Sequence, residues 1–304
     1  MKVRVGAVLL DAAAPFDPLA DVAGSARHAE HAGLDSLWAG DHLLLGDASL
    51  LDCTMILAAA AAVTSTIAIG SAVFLPSLRP LAWAARQVAT LAHLAGGRLQ
   101  LGVGAGAGPE EEYRAAGQRR CDRGRRTDEF LDALPRLLAG VPVPLRSGED
   151  TVTVRLAPPM PMPTVWIGGS SPAALRRTIR FGDGWLGALL TPAEFGRARS
   201  RLRELADAAG RPEPRLGLVT HAAITPAGDR PRRETAAAVL RRSYGFPHDI
   251  AEQLTVAGSP AQVAQHLTEY TARGADHLVV INDLTPWRQA CDLLSATKDE
   301  LAGQ

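Results

Sequence analysis

The sequence predicts an α/β protein, a (β/α)8 TIM barrel with an insertion after the fourth strand, on three observations. Eight short β-rich runs alternate with longer helical patterns, the rhythm of a parallel sheet wrapped in helices. A chain of 304 residues suits one such barrel. No linker, composition break or internal repeat sets off a second unit, so residues 1–304 are expected to form a single domain.

The elements follow in order. Residues 3–9 are apolar enough for a buried strand, and 18–32 carry helical periodicity up to Gly33. Residues 36–40 form the second strand, and an alanine-rich helix spans 52–63. The third strand is 67–73; its helix, 81–94, has Pro80 near the start, where proline is tolerated. Residues 98–103 are the fourth strand, followed by a short helix at 110–116 and a longer one at 127–138. The rhythm then slips: 140–163 is proline-rich around TVTVRL and reads as an excursion with its own strand, the insertion. Alternation resumes with strand 164–168 and helix 172–181, then strand 185–190 and helix 192–209. Residues 215–224 are the seventh strand, 260–273 a helix, 277–282 the eighth strand, and 286–301 the closing helix.

Composition narrows the partners. Thirty-two basic residues balance 32 acidic ones, which argues against nucleic acid and against an anionic membrane surface. The 47% hydrophobic content supports a large core, yet runs such as 56–63 fall far short of the roughly 20 residues of a membrane span. Cys53, Cys121 and Cys291 are odd in number and far apart, which fits a reducing cytoplasm and offers no metal spacing. The N-terminus lacks a signal-peptide pattern, so a cytoplasmic location is expected.

A barrel keeps its chemistry at the C-terminal strand ends. Here these are Leu10, Asp11, Asp41, His42, Ala72, Val73, Phe74, Gly104, Ala105, Gly106, Gly168, Gly169, Ser170, Ser171, Leu189, Leu190, His221, Asn282 and Asp283. The set holds neither a metal-ligand cluster nor a nucleophile motif, and small residues dominate. That pattern points to a flat or phosphorylated cofactor carrying the chemistry. GGSSPAALRR (168–177) is either a phosphate cradle at a helix N-terminus or simply a well-capped helix. His42 is either a solvated loop histidine or a group that moves a proton near neutral pH. His28 and His31 read as a solvated helix face, and RRCDRGRR (119–126) as a helix lead-in or a clamp on a substrate anion. Gly102, Gly104 and Ala107 match the spacing of a dinucleotide fingerprint, with Asp122 about 20 residues on. However, Gly102 reads as still within the strand, and Pro109 delays the helix.

Four ordered stretches together resemble the bacterial luciferase-like family of flavin- and deazaflavin-dependent oxidoreductases. They are HAGLDSLWAGDHLLL (31–45), IAIGSAVFLPSLRPLAWAARQVATLAHLAGGRLQLGVGAG (67–106), TVWIGGSSPAALRRTIRFGDGW (164–185) and AGSPAQVAQHLTEYTARGADHLVV (257–280). The resemblance implies a TIM barrel, usually homodimeric, with the cofactor ring over a bulge after the third strand that contains a non-proline cis peptide, here Ala72–Val73. It implies cofactor contacts at Asp41, Gly104, Ala105, Gly106, Gly168, Gly169, Ser170 and Ser171, and a proton-transfer role for His42. Phe74, His221 and Asn282 are candidates to shape the substrate pocket. The sequence departs from the sugar-phosphate dehydrogenases of this family, which carry a glutamate where Ala107 stands, so that substrate is not expected.

Two activities follow from the resemblance. One is hydride transfer between coenzyme F-420, a deazaflavin, and a small organic substrate, with His42 as proton donor or acceptor. The alternative is an FMN-dependent monooxygenase working through a peroxyflavin and supplied by a separate flavin reductase. A non-catalytic, flavin-binding barrel is the third reading.

Overall fold

Glycine and tryptophan alternate across neighbouring strands, and that alternation fills the barrel. In the computed structural model, which describes residues 3–9, 18–44, 51–147, 150–230, 233–282 and 284–303, strands β1 (Arg4–Leu9), β2 (Ser36–Ala39), β3 (Ala68–Ser71) and β4 (Leu99–Val103) run parallel as neighbours. A separate antiparallel hairpin, β5 (Val143–Ser147) and β6 (Asp150–Val154), lies where a single excursion strand was expected. Strands β7 (Thr164–Gly168), β8 (Gly184–Ala188) and β9 (Arg215–Ile224) continue the parallel order. After the short β10 (Val256–Gly258), which flanks β9, β11 (His277–Ile281) pairs with both β9 and β1. Eight parallel strands thus close on themselves into a barrel.

The helices wrap it: α1 (Val22–His31), α2 (Cys53–Val63), α3 (Leu81–Ala95), α4 (Glu110–Ala115), α5 (Arg123–Leu138), α6 (Pro172–Phe181), α7 (Pro192–Ala209), α8 (Arg233–Tyr244), α9 (His248–Leu254), α10 (Pro260–Thr271) and α11 (Trp287–Ala302). Their starts are chemically specified. Asp52 accepts the Thr54 and Met55 amides at α2, and Thr191/Glu194 and Ser259/Gln262 form capping boxes at α7 and α10. Helix α5 begins four residues earlier than expected, taking in part of the basic run. Helices α8 and α9 and strand β10 occupy a stretch for which the sequence predicted no element. Among the described residues, no helix is long and apolar enough to cross a membrane.

Inside the barrel, Val8, Trp38, Trp166, Leu186, Val219, Val279 and Ile281 form one cluster. A Cβ on Gly70 would strike the Trp38 indole, and one on Gly184 would come within 2.5 Å of Trp166, so each glycine vacates the space its neighbour's ring fills. Most polar edges pair within the layer: Trp38 Nε1 donates to Ser36 Oγ (2.7 Å), Ser36 Oγ meets His277 Nε2 (2.7 Å), and Trp166 Nε1 donates to Gln100 Oε1 (2.9 Å), while His277 Nδ1 is buried without a partner. Burial holds the His277 imidazole down at about 3, with the nearby Arg215 charge acting in the same direction, so His277 is a neutral core group. The floor beneath the C-terminal mouth is therefore closely packed.

Candidate active site

At the end of β3 the ladder breaks and re-forms. Ala72 N donates to Ala39 O (2.8 Å), the Ala72–Val73 peptide is cis, and pairing resumes with Phe74 N on Gly102 O (2.8 Å) and Gly104 N on Phe74 O (3.0 Å). Residues 72 and 73 form the bulge, half-buried and packed on the tryptophan cluster. The Val73 side chain occupies the space that glycines on two strands leave open. A Cβ on Gly104 would lie 2.5 Å from Val73 Cγ2, and one on Gly168 2.7 Å from Val73 Cγ1. Gly102 lies within β4, where a Cβ would collide with the Ser71 carbonyl, and α4 begins only at Glu110. Within GVGAG, Gly104 thus makes room for a valine and Gly102 for the Ser71 carbonyl, and the geometry of a dinucleotide turn is absent.

The bulge is held from the neighbouring loop. Asp41, 3% exposed, takes both Arg79 guanidinium nitrogens (2.6 and 2.7 Å) and the Leu75 amide (2.8 Å). Its carboxylate therefore ties the loop after β2 to the loop after β3, with both oxygens engaged inside the protein. Arg79, which sequence reasoning did not assign, also lies over the Phe74 ring, 4.7 Å from its centroid. Phe74 is 1% exposed and packs on Phe130 of α5, its side chain turned by strand alternation into the helical layer.

His42 follows Asp41 and keeps part of its ring exposed. Its Nδ1 lies 3.1 Å from Oε1 of Glu112, which is fully buried, and the same oxygen accepts the amides of Leu43 (2.9 Å) and Leu44 (3.4 Å). Glu112 comes from α4, in the GPEEE run a few residues after Ala107. Ala105 O accepts Tyr113 Oη (2.9 Å), and Gly106 takes a positive φ of 82° where a Cβ would meet that hydroxyl.

On the far side of the bulge, Gly169 (φ 104°), Ser170 and Ser171 are exposed at the start of α6. Ser171 Oγ accepts the Ala174 amide (3.2 Å), and Trp185 Nε1 fixes Gly169 O (2.8 Å). His221 is buried within β9, opposite the last residue of β11, with Nε2 3.0 Å from Tyr244 Oη on α8. Both polar atoms of the Asn282 side chain are buried and without a partner, an acceptor and a donor that the polar edge of a ligand would satisfy. Leu10, Asp11, Leu45 and Asp283 lie outside the described residues.

Three arginines of the basic run are tied to the backbone, Arg120 donating to Gly108 O, Arg123 to Arg120 O, and Arg126 to Ser77 O and Arg79 O, while Arg119 and Arg125 are exposed beside Asp122 and Glu129. His28 contacts Asp292 and Arg288 on α11. Among the described residues no His, Cys, Asp or Glu groups gather as metal ligands. A cavity of about 280 Å³ between the loops after β9 and β11, lined in part by Thr225, Thr285 and Gln289, touches none of the expected site residues.

Residues 3–277 match the family described as luciferase-like monooxygenase. An uncharacterized Mycobacterium tuberculosis protein is 32% identical over 179 residues, 58% of this chain and 61% of that one, so the match spans less than two thirds of that relative's length. The 4-hydroxyprotoasukamycin monooxygenase of Streptomyces nodosus subsp. asukaensis is 40% identical over 109 residues, 36% of this chain and 29% of that one. Among solved structures, an F420-dependent secondary alcohol dehydrogenase in complex with an F420–acetone adduct superposes with a TM-score of 0.84 over 99% of both chains at 17% identity, a likeness of fold.

Proposed function

The chain belongs to the luciferase-like monooxygenase family, and from that premise we propose that it is a coenzyme F-420-dependent oxidoreductase acting on a small organic substrate. The observation that carries this reading is the half-buried Ala72–Val73 bulge, flanked by His42 on one side and the exposed start of α6 on the other. The residues suit a flavin-type cofactor. Ala72 and Val73 give the ring an apolar backing, Gly104, Ala105 and Gly106 border it, and Gly168, Gly169, Ser170 and Ser171 offer backbone amides and hydroxyls to a phosphate at the helix N-terminus. Bound there, the deazaflavin supplies hydride chemistry. Asp41 acts indirectly, through Arg79 and the Leu75 amide, by fixing the bulge. His42 exchanges a proton with the substrate, and the closely packed tryptophan floor excludes water from beneath the ring. His221 and Asn282 border the substrate.

A second reading, an FMN-dependent monooxygenase served by a separate flavin reductase, is favoured by the local 40% identity to the Streptomyces monooxygenase. The two differ in cofactor, so anaerobic fluorescence titration of the purified protein with reduced F-420 and reduced FMN decides between them. Micromolar or tighter binding of the deazaflavin is expected; tight FMN binding with no deazaflavin affinity overturns the proposal.

A homodimer is part of the same reading. Helix α2 carries no charged side chain, and its Met55 (69% exposed) and Trp83 at the start of α3 (67% exposed) add to exposed Leu43, Leu44 and Leu51. So much exposed apolar surface on packed helices fits burial against a second copy.

A further inference from the structure

The hydrogen bonds around Glu112 determine which nitrogen of His42 carries the proton. Glu112 Oε1 faces two backbone N–H groups, those of Leu43 (2.9 Å) and Leu44 (3.4 Å). An amide N–H can only donate, so Oε1 must be an acceptor. The third group on the same oxygen, His42 Nδ1 at 3.1 Å, must then supply a hydrogen as well. In a neutral imidazole a proton on Nδ1 leaves a lone pair on Nε2, and no protein partner for Nε2 stands among the described residues. Glu112 Oε2 is buried without a partner, so it offers His42 no competing arrangement. Space for Oε2 exists only because residue 108 is glycine; a Cβ there would collide with that oxygen.

We propose that Glu112 is a positioning residue that locks His42 in the Nδ1–H tautomer, so that His42 Nε2 meets the substrate as a proton acceptor. This rests on the reading above that His42 faces the substrate, and it narrows that reading from donor or acceptor to acceptor. The substrate it selects carries a removable proton on oxygen or nitrogen at the reacting centre. In the step, the substrate X–H bond breaks, the proton joins the Nε2 lone pair, and the imidazolium formed is stabilised by the Glu112 carboxylate against Nδ1–H. Glu112 touches no reacting atom; its effect passes through His42.

The test reads the tautomer directly, without cofactor or substrate. Long-range ¹H–¹⁵N correlation spectra of protein labelled at histidine nitrogen, with His42 assigned by its loss in His42→Gln, report which ring nitrogen is protonated. The wild type is expected to show Nδ1 as N–H and Nε2 as the unprotonated type. Glu112→Gln keeps a carbonyl oxygen and is expected to keep the pattern. Glu112→Leu, and Gly108→Ala, which displaces the carboxylate without altering it, are expected to lose it. An Nε2–H pattern for His42 in the wild type overturns the proposal even if neither Glu112→Leu nor Gly108→Ala folds, as does an unchanged pattern in a folded Glu112→Leu protein. Deazaflavin titration of the same samples separates the two claims. Binding within twofold of wild type across the variants is expected, and absence of binding in the wild type counts against the cofactor reading while leaving the tautomer result to stand.

Discussion

Replacing Arg79 with alanine removes the cation from a carboxylate that has almost no access to water. Asp41 is 3% exposed and receives Arg79 at 2.6 and 2.7 Å; after the change it retains the Leu75 amide alone. Breaking a buried ion pair by deleting one partner costs about 3–5 kcal/mol, because the remaining charge stays desolvated. Loss of the guanidinium from the Phe74 face adds about 0.5–1 kcal/mol. The expected total, about 3.5–6 kcal/mol, is a large fraction of the roughly 5–15 kcal/mol that holds a typical protein together. Urea unfolding followed by circular dichroism measures it. Arg79→Ala with Asp41→Asn in the same chain should recover part of the loss, since the uncompensated charge is gone. Because the same contacts fix the loop that carries Val73, cofactor affinity should fall in the single variant even where it remains folded. A loss below about 1 kcal/mol in Arg79→Ala, or no recovery in the double variant, would refute the reasoning that the pair is buried and holds the bulge.

Gly104→Ala places a Cβ 2.5 Å from Val73 Cγ2, an overpacking expected to cost about 1–3 kcal/mol, and Val73→Ala in the same chain should relieve it; thermal melts of the single and double variants check this. His277 titrates near 3 in the folded chain, depressed by burial, against about 6.5 unfolded, so the unfolded chain alone takes up the proton as pH falls. Its contribution is complete above pH 6.5 and declines by up to about 1.4 kcal/mol per unit as pH drops toward 3. Denaturant midpoints between pH 6.5 and 5 should show a slope that His277→Gln reduces, the remainder coming from groups such as His266, which burial also depresses. Met55→Glu combined with Trp83→Glu should convert a dimer to a monomer in sedimentation equilibrium with the melt little changed, whereas a wild-type monomer would remove the α2–α3 face from the account.

The barrel strands were legible in the sequence because each is a short apolar run closed by glycine or polar residues, and burial on both faces demands that pattern. The third strand ended two residues early for a reason periodicity cannot carry: residues 72 and 73 are apolar whether they continue a ladder or bulge out of it. Helices α8 and α9 bury only a small face, Ala236, Ala237, Leu240, Ala251 and Leu254, and lie among prolines and glycines that mask their period. The candidate site was read from the strand ends, and the cis Ala72–Val73 peptide stands where the family resemblance put it. Its supporting pairs were not. Asp41 meets Arg79 across 38 residues, and His42 meets Glu112 across 70, separations at which local spacing holds no information. The same limit hid the purpose of Gly104 and Gly168, which became clear only when Val73 was found between them.

The central claim is that the Ala72–Val73 bulge backs a deazaflavin ring whose phosphate lies at the start of α6. A crystal structure of the protein grown with coenzyme F-420 tests it most directly. The account predicts ring density against Val73 with His42 alongside, and phosphate density within hydrogen-bond distance of Ser170, Ser171 or the first amides of α6. Density for the ring or its phosphate in the cavity by Thr225 and Thr285 instead, with the bulge bare, would contradict it.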